Sequence, residues 1–343
     1  MPEGHSVHRI ARQFARNFVG HRVAVMSPQG RFAAGAATLD GTTMTRATAV
    51  GKQMFLEFDN GLWLRVHLGL YGAWDFAGEI TTDATIRSAG GRMGQTNQRG
   101  TELEAADAAA SASLETDADH LDDHDGEDSV RSIGAPRKAR LRMSESERED
   151  DSDFDFPPPP VGAVRVRILT ETACADLRGP TACEAVTAFE VQQVIDRLGP
   201  DPLNDDSQEA EDRVVARIRK SSQPIAQLLM DQSVVSGIGN VYRAELLFRA
   251  RLDPYTPGKL VPEDTARALW RDWVHLLDIG VRTGQMMTMD GLTGEDYRRA
   301  MAKRDDRHWV YHRTGLPCRV CGTHIVMKEL ANRKLYWCPN CQR

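Results

Sequence analysis

Gln232-Ser233-Val234-Val235-Ser236-Gly237-Ile238-Gly239-Asn240 lies between two runs of helical periodicity, and its reading decides the fold of the C-terminal half. Glycines on both sides of Ile238 permit a backbone turn tight enough to aim amide N–H groups outward, and such nests grip anions. Asn240 opens the following helix, where its side chain either caps the helix or reaches a phosphate; the residues alone leave both readings open. Outward from the motif the pattern stays helical. Phe189, Val194, Ile195 and Leu198 form one apolar stripe before Gly199-Pro200, and Ala266, Leu269, Trp270, Trp273 and Leu277 form another.

Toward the C-terminus, four of the six cysteines stand as Cys318-x2-Cys321-x16-Cys338-x2-Cys341. Two paired-thiolate knuckles at this spacing suit tetrahedral zinc, and four cysteines make a closed, structural site. Two disulfides are the weaker reading for a chain that starts Met1-Pro2-Glu3-Gly4-His5-Ser6, with no basic start and apolar block of a secretion signal. Between the knuckles, Lys328, Arg333 and Lys334 accompany Tyr336 and Trp337, a composition suited to phosphates and stacking. Cys174 and Cys183 read as buried hydrophobes.

Toward the N-terminus the period changes. Ser6 reads as an N-cap for a helix with Val7, Ile10, Ala11, Phe14 and Phe18 on one buried face, closed by Gly20. Strand-like runs Gln53 to Phe58 and Leu62 to Leu68 follow, joined by Asp59-Asn60-Gly61, where Asn-Gly supplies the positive φ angles of a tight turn. Lys52 stands just before this hairpin. From about Gly78 to Pro160 the chain is too poor in large apolar groups to offset the entropy of ordering, and disorder is the expectation. Val164 to Leu169 then alternates strictly, which makes the tract an insertion within a β domain.

The charge is divided in the same way. Residues 101 to 160 hold 18 acidic and 6 basic side chains, a net −12, so the formal −6 of the 343-residue chain leaves +6 on the other 283. A basic remainder is compatible with a polyanionic partner. No apolar run approaches the roughly 20 residues of a membrane-spanning helix, and a cytoplasmic location is the expectation. A penultimate proline permits removal of Met1, leaving a secondary amine of pKa about 8 that is nucleophilic near neutrality.

Four separated stretches taken together are similar to one family. Met1-Pro2-Glu3-Gly4, Gly51-Lys52, Asp231 through Arg243, and Arg313-Thr314-Gly315-Leu316-Pro317-Cys318 running to Gln342 resemble the formamidopyrimidine-DNA glycosylase and endonuclease VIII family of base-excision repair. The resemblance implies an α+β multidomain fold: an N-terminal helix with a two-layer β-sandwich over 1–184, a helix-two-turn-helix domain over 185–297 and a zinc β-ribbon over 298–343. It implies damaged DNA, duplex or bubble, as partner of a nucleoid-associated monomer with one structural zinc. The amine of Pro2 would attack C1′, Glu3 would protonate the opening sugar oxygen, and Lys52 would bind the neighbouring phosphate and help protonate the leaving side. Leu70 and Tyr71 would fill the gap left by the extruded base, with core or strand-end packing as their other reading, and Asn240 and Arg333 would grip phosphates.

Within the family, Leu70-Tyr71-Gly72 looks more like endonuclease VIII, whose substrates are oxidised pyrimidines, than the purine-directed branch. An oxidised-purine glycosylase and a non-catalytic damage sensor are the competing readings. Two departures stand out: Ser6 occupies a position where many members carry glutamate, and the acidic insert is long enough to compete with DNA or recruit a basic partner.

Overall fold

The computed structural model describes residues 2–81, 132–134 and 156–343, so most of the tract expected to be disordered lies outside the described residues. The chain forms two compact units. One comprises Met1–Pro2, Ser6–Gln193 and Val281–Gln285; the other comprises Glu3–His5, Val194–Gly280 and Met286–Arg343.

The first unit is a sandwich of two antiparallel sheets. The four-stranded sheet runs β2 (Met44–Val50), β3 (Gln53–Phe58), β4 (Leu62–His67) and β9 (Ala182–Thr187) in that spatial order. The five-stranded sheet has the order β1 (Ala24–Met26), β7 (Val164–Leu169), β8 (Ala173–Arg178), β5 (Ala73–Gly78), β6 (Ser132–Gly134). Because β5 and β7 flank β8 in one sheet, the tract between them interrupts a single β domain. Within that tract lies β6, three residues that extend the sheet by pairing with β5. Its shortness left no period to read.

Inward-facing residues of both sheets fill one core, among them Met54, Leu56, Leu64 and Val66 from one layer and Val25, Trp74, Ile168 and Leu177 from the other. Helix α1 (Gly4–Asn17) adds Val7, Ile10 and Phe14, and α2 (Ala33–Leu39) adds Ala36 and Leu39. Helix α1 begins two residues before the expected cap, with Ser6 inside it, and residues 4–11 are all buried, so the helix is enclosed around its circumference there. Phe14 meets Trp74 edge-on at 4.7 Å and Phe76 at 5.4 Å between ring centroids, the favoured aromatic geometry. The β3–β4 turn departs from the expected form: of Asn60 and Gly61, only Gly61 has positive φ, at 79°. Three residues rather than two connect the strands, and such loops place one left-handed residue after a type I turn.

The second unit is helical with a terminal ribbon. It contains α4 (Gln208–Lys220), α5 (Ile225–Leu228), α6 (Asn240–Arg249), α7 (Glu263–Thr283), whose last three residues return to the first unit, and α8 (Gly294–Ala302), which runs across residue 297. The ribbon is β10 (Val326–Leu330) with β11 (Arg333–Trp337). Along α7 the expected stripe Ala266, Leu269, Trp270, Trp273 and Leu277 is buried throughout. Helix α3 (Ala188–Asp196) keeps Val191 inside but leaves Phe189 70% exposed. Phe189 is five residues from Val194, about 140° around a helix, so the stripe runs through Val191 instead. No described helix is long and apolar enough to cross a membrane.

Phe14→Ala should destabilise the sandwich by about 3–5 kcal/mol, since it deletes a fully buried ring and leaves a cavity among three aromatic neighbours. Urea unfolding monitored by tryptophan fluorescence checks this; a cost below about 1 kcal/mol would mean that the aromatic cluster does not hold α1.

Candidate active site and zinc centre

Glu3 is fully buried, and its carboxylate closes the N-terminus of α6. Oε2 accepts from the Gly239 N–H at 2.7 Å and Oε1 from the Val241 N–H at 2.8 Å, with the Tyr242 N–H at 3.4 Å from Oε2. These are donors that a helix cannot satisfy internally, and the positive end of its dipole favours the negative charge placed there. The glycine nest does hold an anion, and that anion belongs to the chain itself. Gly239 is required by space: a Cβ on it would lie 2.3 Å from Glu3 Cδ. The Gly4 N–H donates to Gly237 O at 2.9 Å, and the Gln232 side chain accepts from Gly237 N at 2.9 Å while donating to Ile238 O at 3.1 Å. From α7, the Trp273 indole N–H reaches Ser236 O at 3.2 Å.

Asn240 does not cap the helix. Gly239 occupies the cap position without a side-chain bond, and the Asn240 Oδ1 accepts instead from Nη2 of Arg243. The same nitrogen donates to Lys334 O at 2.8 Å, so a residue that the sequence reading passed over joins α6 to β11. Burial pulls the Arg243 guanidinium down to about 10, with Arg333 adding to the fall and Glu3 and Tyr311 opposing it. Arg333 is exposed at the start of β11, directly after a two-residue turn in which Ala331 and Asn332 both have positive φ, 49° and 59°. That is the turn whose twist matches a tight hairpin, and here it is made without glycine.

Pro2, joined to Glu3 by one peptide bond, is buried and counted with the sandwich. Lys52 is half-buried in the two-residue turn between β2 and β3, where Gly51 takes φ 58° and Val50 pairs with Gln53. On the next strand His67 pairs with Gln53. His67 was not among the expected site residues. Its Nδ1 is 2.7 Å from Thr181 Oγ1, which is also 3.0 Å from His67 O; the ring donates when the single hydroxyl hydrogen goes to the carbonyl and accepts when that hydrogen points to the ring. Burial, then Lys52 and Arg65, hold the imidazole below its usual range. Leu70 and Tyr71 lie just after β4, 41% and 43% exposed, which removes core packing as their explanation. Ser6 is buried in α1.

The four ribbon cysteines converge, with all four sulfurs within 4.8 Å of one another. Cys318 and Cys341 are 3.9 Å apart and Cys321 and Cys338 3.5 Å, close to the edge of about 3.8 Å in a tetrahedron built on 2.3 Å zinc–sulfur bonds. The donor set therefore fits one structural zinc, with N–H groups of Val320 and Cys341 directed at Cys318 and Cys338 sulfurs.

Three family models match the sequence: the formamidopyrimidine-DNA glycosylase N-terminal domain over residues 1–118, the H2TH domain of the same glycosylase over 198–290, and a zinc finger found in FPG and IleRS over 315–343. A curated protein of Mycobacterium tuberculosis, endonuclease 8 1, is 36% identical over 342 residues covering the whole of both chains. This chain belongs to the formamidopyrimidine-DNA glycosylase and endonuclease VIII family. Its members are DNA glycosylases with AP-lyase activity. A formamidopyrimidine-DNA glycosylase of Thermus thermophilus is also 36% identical, but over 149 residues, 43% of this chain and 54% of the relative. In three dimensions the crystal structure of MutM (Fpg) from T. thermophilus aligns with TM-score 0.61 at 22% identity, covering 99% and 98% of the two chains. Lactococcus lactis Fpg bound to DNA containing an abasic site aligns with TM-score 0.65 at 17% identity over 99% of each.

Two outcomes follow for this glycosylase. Gly239→Ala should lower abasic-site cleavage roughly 100-fold, because its Cβ displaces the Glu3 carboxylate, with urea unfolding reporting how far the second unit loosens; unchanged cleavage would show that the carboxylate's position is not critical. His67 is held more neutral in the native state than in the unfolded chain, so stability present above the usual imidazole value of 6.5 falls as pH drops through it. His67→Gln should therefore unfold at nearly the wild-type urea midpoint at pH 8 but above it at pH 5.

Proposed function

We propose that this protein is a bifunctional DNA glycosylase and AP lyase that removes oxidised pyrimidines through an N-terminal proline Schiff base. The observation that carries the reading is the fixed Glu3 carboxylate, held by backbone N–H groups of α6 one residue from Pro2. With Met1 removed, the Pro2 nitrogen lone pair forms a bond to C1′ of the damaged nucleotide. The base departs with its bonding electrons, Glu3 takes the proton that the Pro2 nitrogen loses and delivers it to the sugar ring oxygen as the ring opens, and an iminium remains. The iminium acidifies the adjacent sugar C–H, so β- and then δ-elimination cut the strand at the abasic site. One amine thus serves both activities.

DNA is the partner, and the chain acts as a monomer at the nucleoid. Lys52 binds the phosphate beside the lesion and protonates the leaving side, and its charge, with that of Arg65, is felt at His67 on the same sheet. Leu70 and Tyr71 enter the stack, offsetting the few kcal/mol of base extrusion with apolar contact. Asn240 and Arg333 hold phosphates, and the units of action are the sandwich over 1–184, the helical domain over 185–297 and the ribbon over 298–343. The pyrimidine preference is supported by Leu70-Tyr71-Gly72 and by a relative named endonuclease 8 1 that matches along the full chain. Purine specificity is the second reading, favoured by the glycosylase relatives that match part of the chain.

Borohydride trapping tests the mechanism, because reduction freezes the iminium as a covalent adduct. Purified protein should have an intact mass lacking Met1 and should crosslink to duplexes bearing 5-hydroxyuracil or an abasic site, with Pro2→Gly abolishing both adducts. Trapping on the abasic site but not on 5-hydroxyuracil would overturn the pyrimidine assignment and turn the search to 8-oxoguanine duplexes. No trapping at all, or retained Met1, would leave a non-catalytic damage sensor.

A further inference from the structure

Arg243 is 1% exposed, too deep to meet a ligand, yet its Nη2 bridges two elements. It donates to Oδ1 of Asn240, one turn earlier on α6, and at 2.8 Å to the carbonyl of Lys334 on β11. An asparagine amide has an acceptor side and a donor side that exchange by a flip about its terminal torsion. With Oδ1 engaged inward, the NH2 group is the part of Asn240 left to face a partner, and NH2 pairs with acceptors alone.

Both partners of Nη2 are neutral oxygens, and the Glu3 carboxylate acts on the guanidinium through space. Arg333, beside Lys334 in sequence, acts on Arg243 through space as a second cation. At the start of α6 the positive end of the helix is met by the buried Glu3 carboxylate, so positive charge near Asn240 comes from Arg243 and Arg333. Asn240, half-buried, thus has two cations and one already hydrogen-bonded carboxylate around it, and its remaining amide group is a donor, which suits a phosphodiester oxygen.

We propose that Arg243 is a positioning residue that locks Asn240 with its amide N–H groups toward DNA and sets that contact in register with Arg333 on the ribbon. The proposal rests on the reading of Asn240 as a phosphate contact. It adds that this contact is shared between helix and ribbon, through a residue that does not touch DNA.

The test is a double-mutant cycle on the full-length, zinc-loaded protein. Affinity is measured for a duplex with one tetrahydrofuran abasic analogue, alongside the single-turnover cleavage rate at a true abasic site. Asn240→Ala should weaken binding about tenfold, the scale of one lost hydrogen bond to a charged group. Arg243→Met should weaken it by a similar factor in the wild-type background and by nearly nothing when Asn240 is already alanine. In both variants the loss should also appear as a matching rise in the protein concentration that gives half the maximal single-turnover rate. Arg243→Lys, which keeps the charge and a donor, should recover part of the affinity.

If Asn240→Ala binds as wild type, the reading of Asn240 falls and the proposal with it. If Asn240→Ala weakens binding but Arg243→Met adds its full loss in the Asn240→Ala background, Asn240 stands and the positioning role falls. Should Arg243→Met lose zinc or fail to fold, the same cycle with Arg243→Lys decides: a loss that vanishes in the Asn240→Ala background supports the lock, and an additive loss or none overturns it.

Discussion

A carboxylate buried against the N-terminus of a helix is the interaction on which the second unit is arranged. Glu3 supplies the acceptor that α6 lacks at its open end, and α6 supplies the donors without which a buried carboxylate would be costly. Bonds of this kind are charge-assisted, shorter and stronger than those between neutral groups. The arrangement requires a glycine at 239 and a chain that passes within hydrogen-bonding distance of Gly237, so the loop and the first residues fix one another. In the mechanism proposed above, fixing Glu3 also fixes where proton transfer takes place.

The same helix carries a second buried carboxylate with another task. Glu245 is fully buried and accepts from the backbone N–H groups of Trp309, Val310 and Tyr311 at 2.7 to 2.9 Å and from the Thr288 hydroxyl at 2.6 Å. Burial pushes its pKa up, while the four donors pull the other way. The chain entering the zinc ribbon is thereby laid on α6, where Ala244 and Phe248 share a core with Val310, Ile325 and Tyr336. Helix α6 is thus bound at its start by Glu3, in its first turn to the ribbon by Arg243, and along its body to the ribbon's entry by Glu245. Zinc then holds the far end of the ribbon closed.

The sandwich clasps the two ends of the acidic tract. After β5 the Glu79 N–H donates to Thr172 O at 2.9 Å, and a side chain at Gly78 would strike the Phe156 ring on the returning chain. Arg167, paired with Asp176 through Nε and Nη2, also donates from Nη1 to Pro158 O at 2.7 Å, and Arg178 donates to Val161 O at 3.0 Å. Entry and exit meet on one sheet, which is how a β domain accommodates an insertion of this length: loop closure grows only slowly in cost with the number of residues closed.

Much of this was legible in the residues. The cysteine spacing determined a zinc ribbon because four thiolates at those intervals have one good metal geometry, and β3, β4, β7 and α7 followed from apolar period. Pro2, Glu3 and Lys52 were recognisable through their family motif. Strands β8 and β9, rich in alanine and cysteine, and the three-residue β6 carry weak local signals, and pairing across the sheet overrides them. Only the tertiary structure decided what the Gly237-Ile238-Gly239 nest holds and how Asn240 is used, since the partners Glu3 and Lys334 are distant in sequence. A hydrogen bond is made between atoms close in space, and local period along a chain records which face is buried but not which distant residue will meet it.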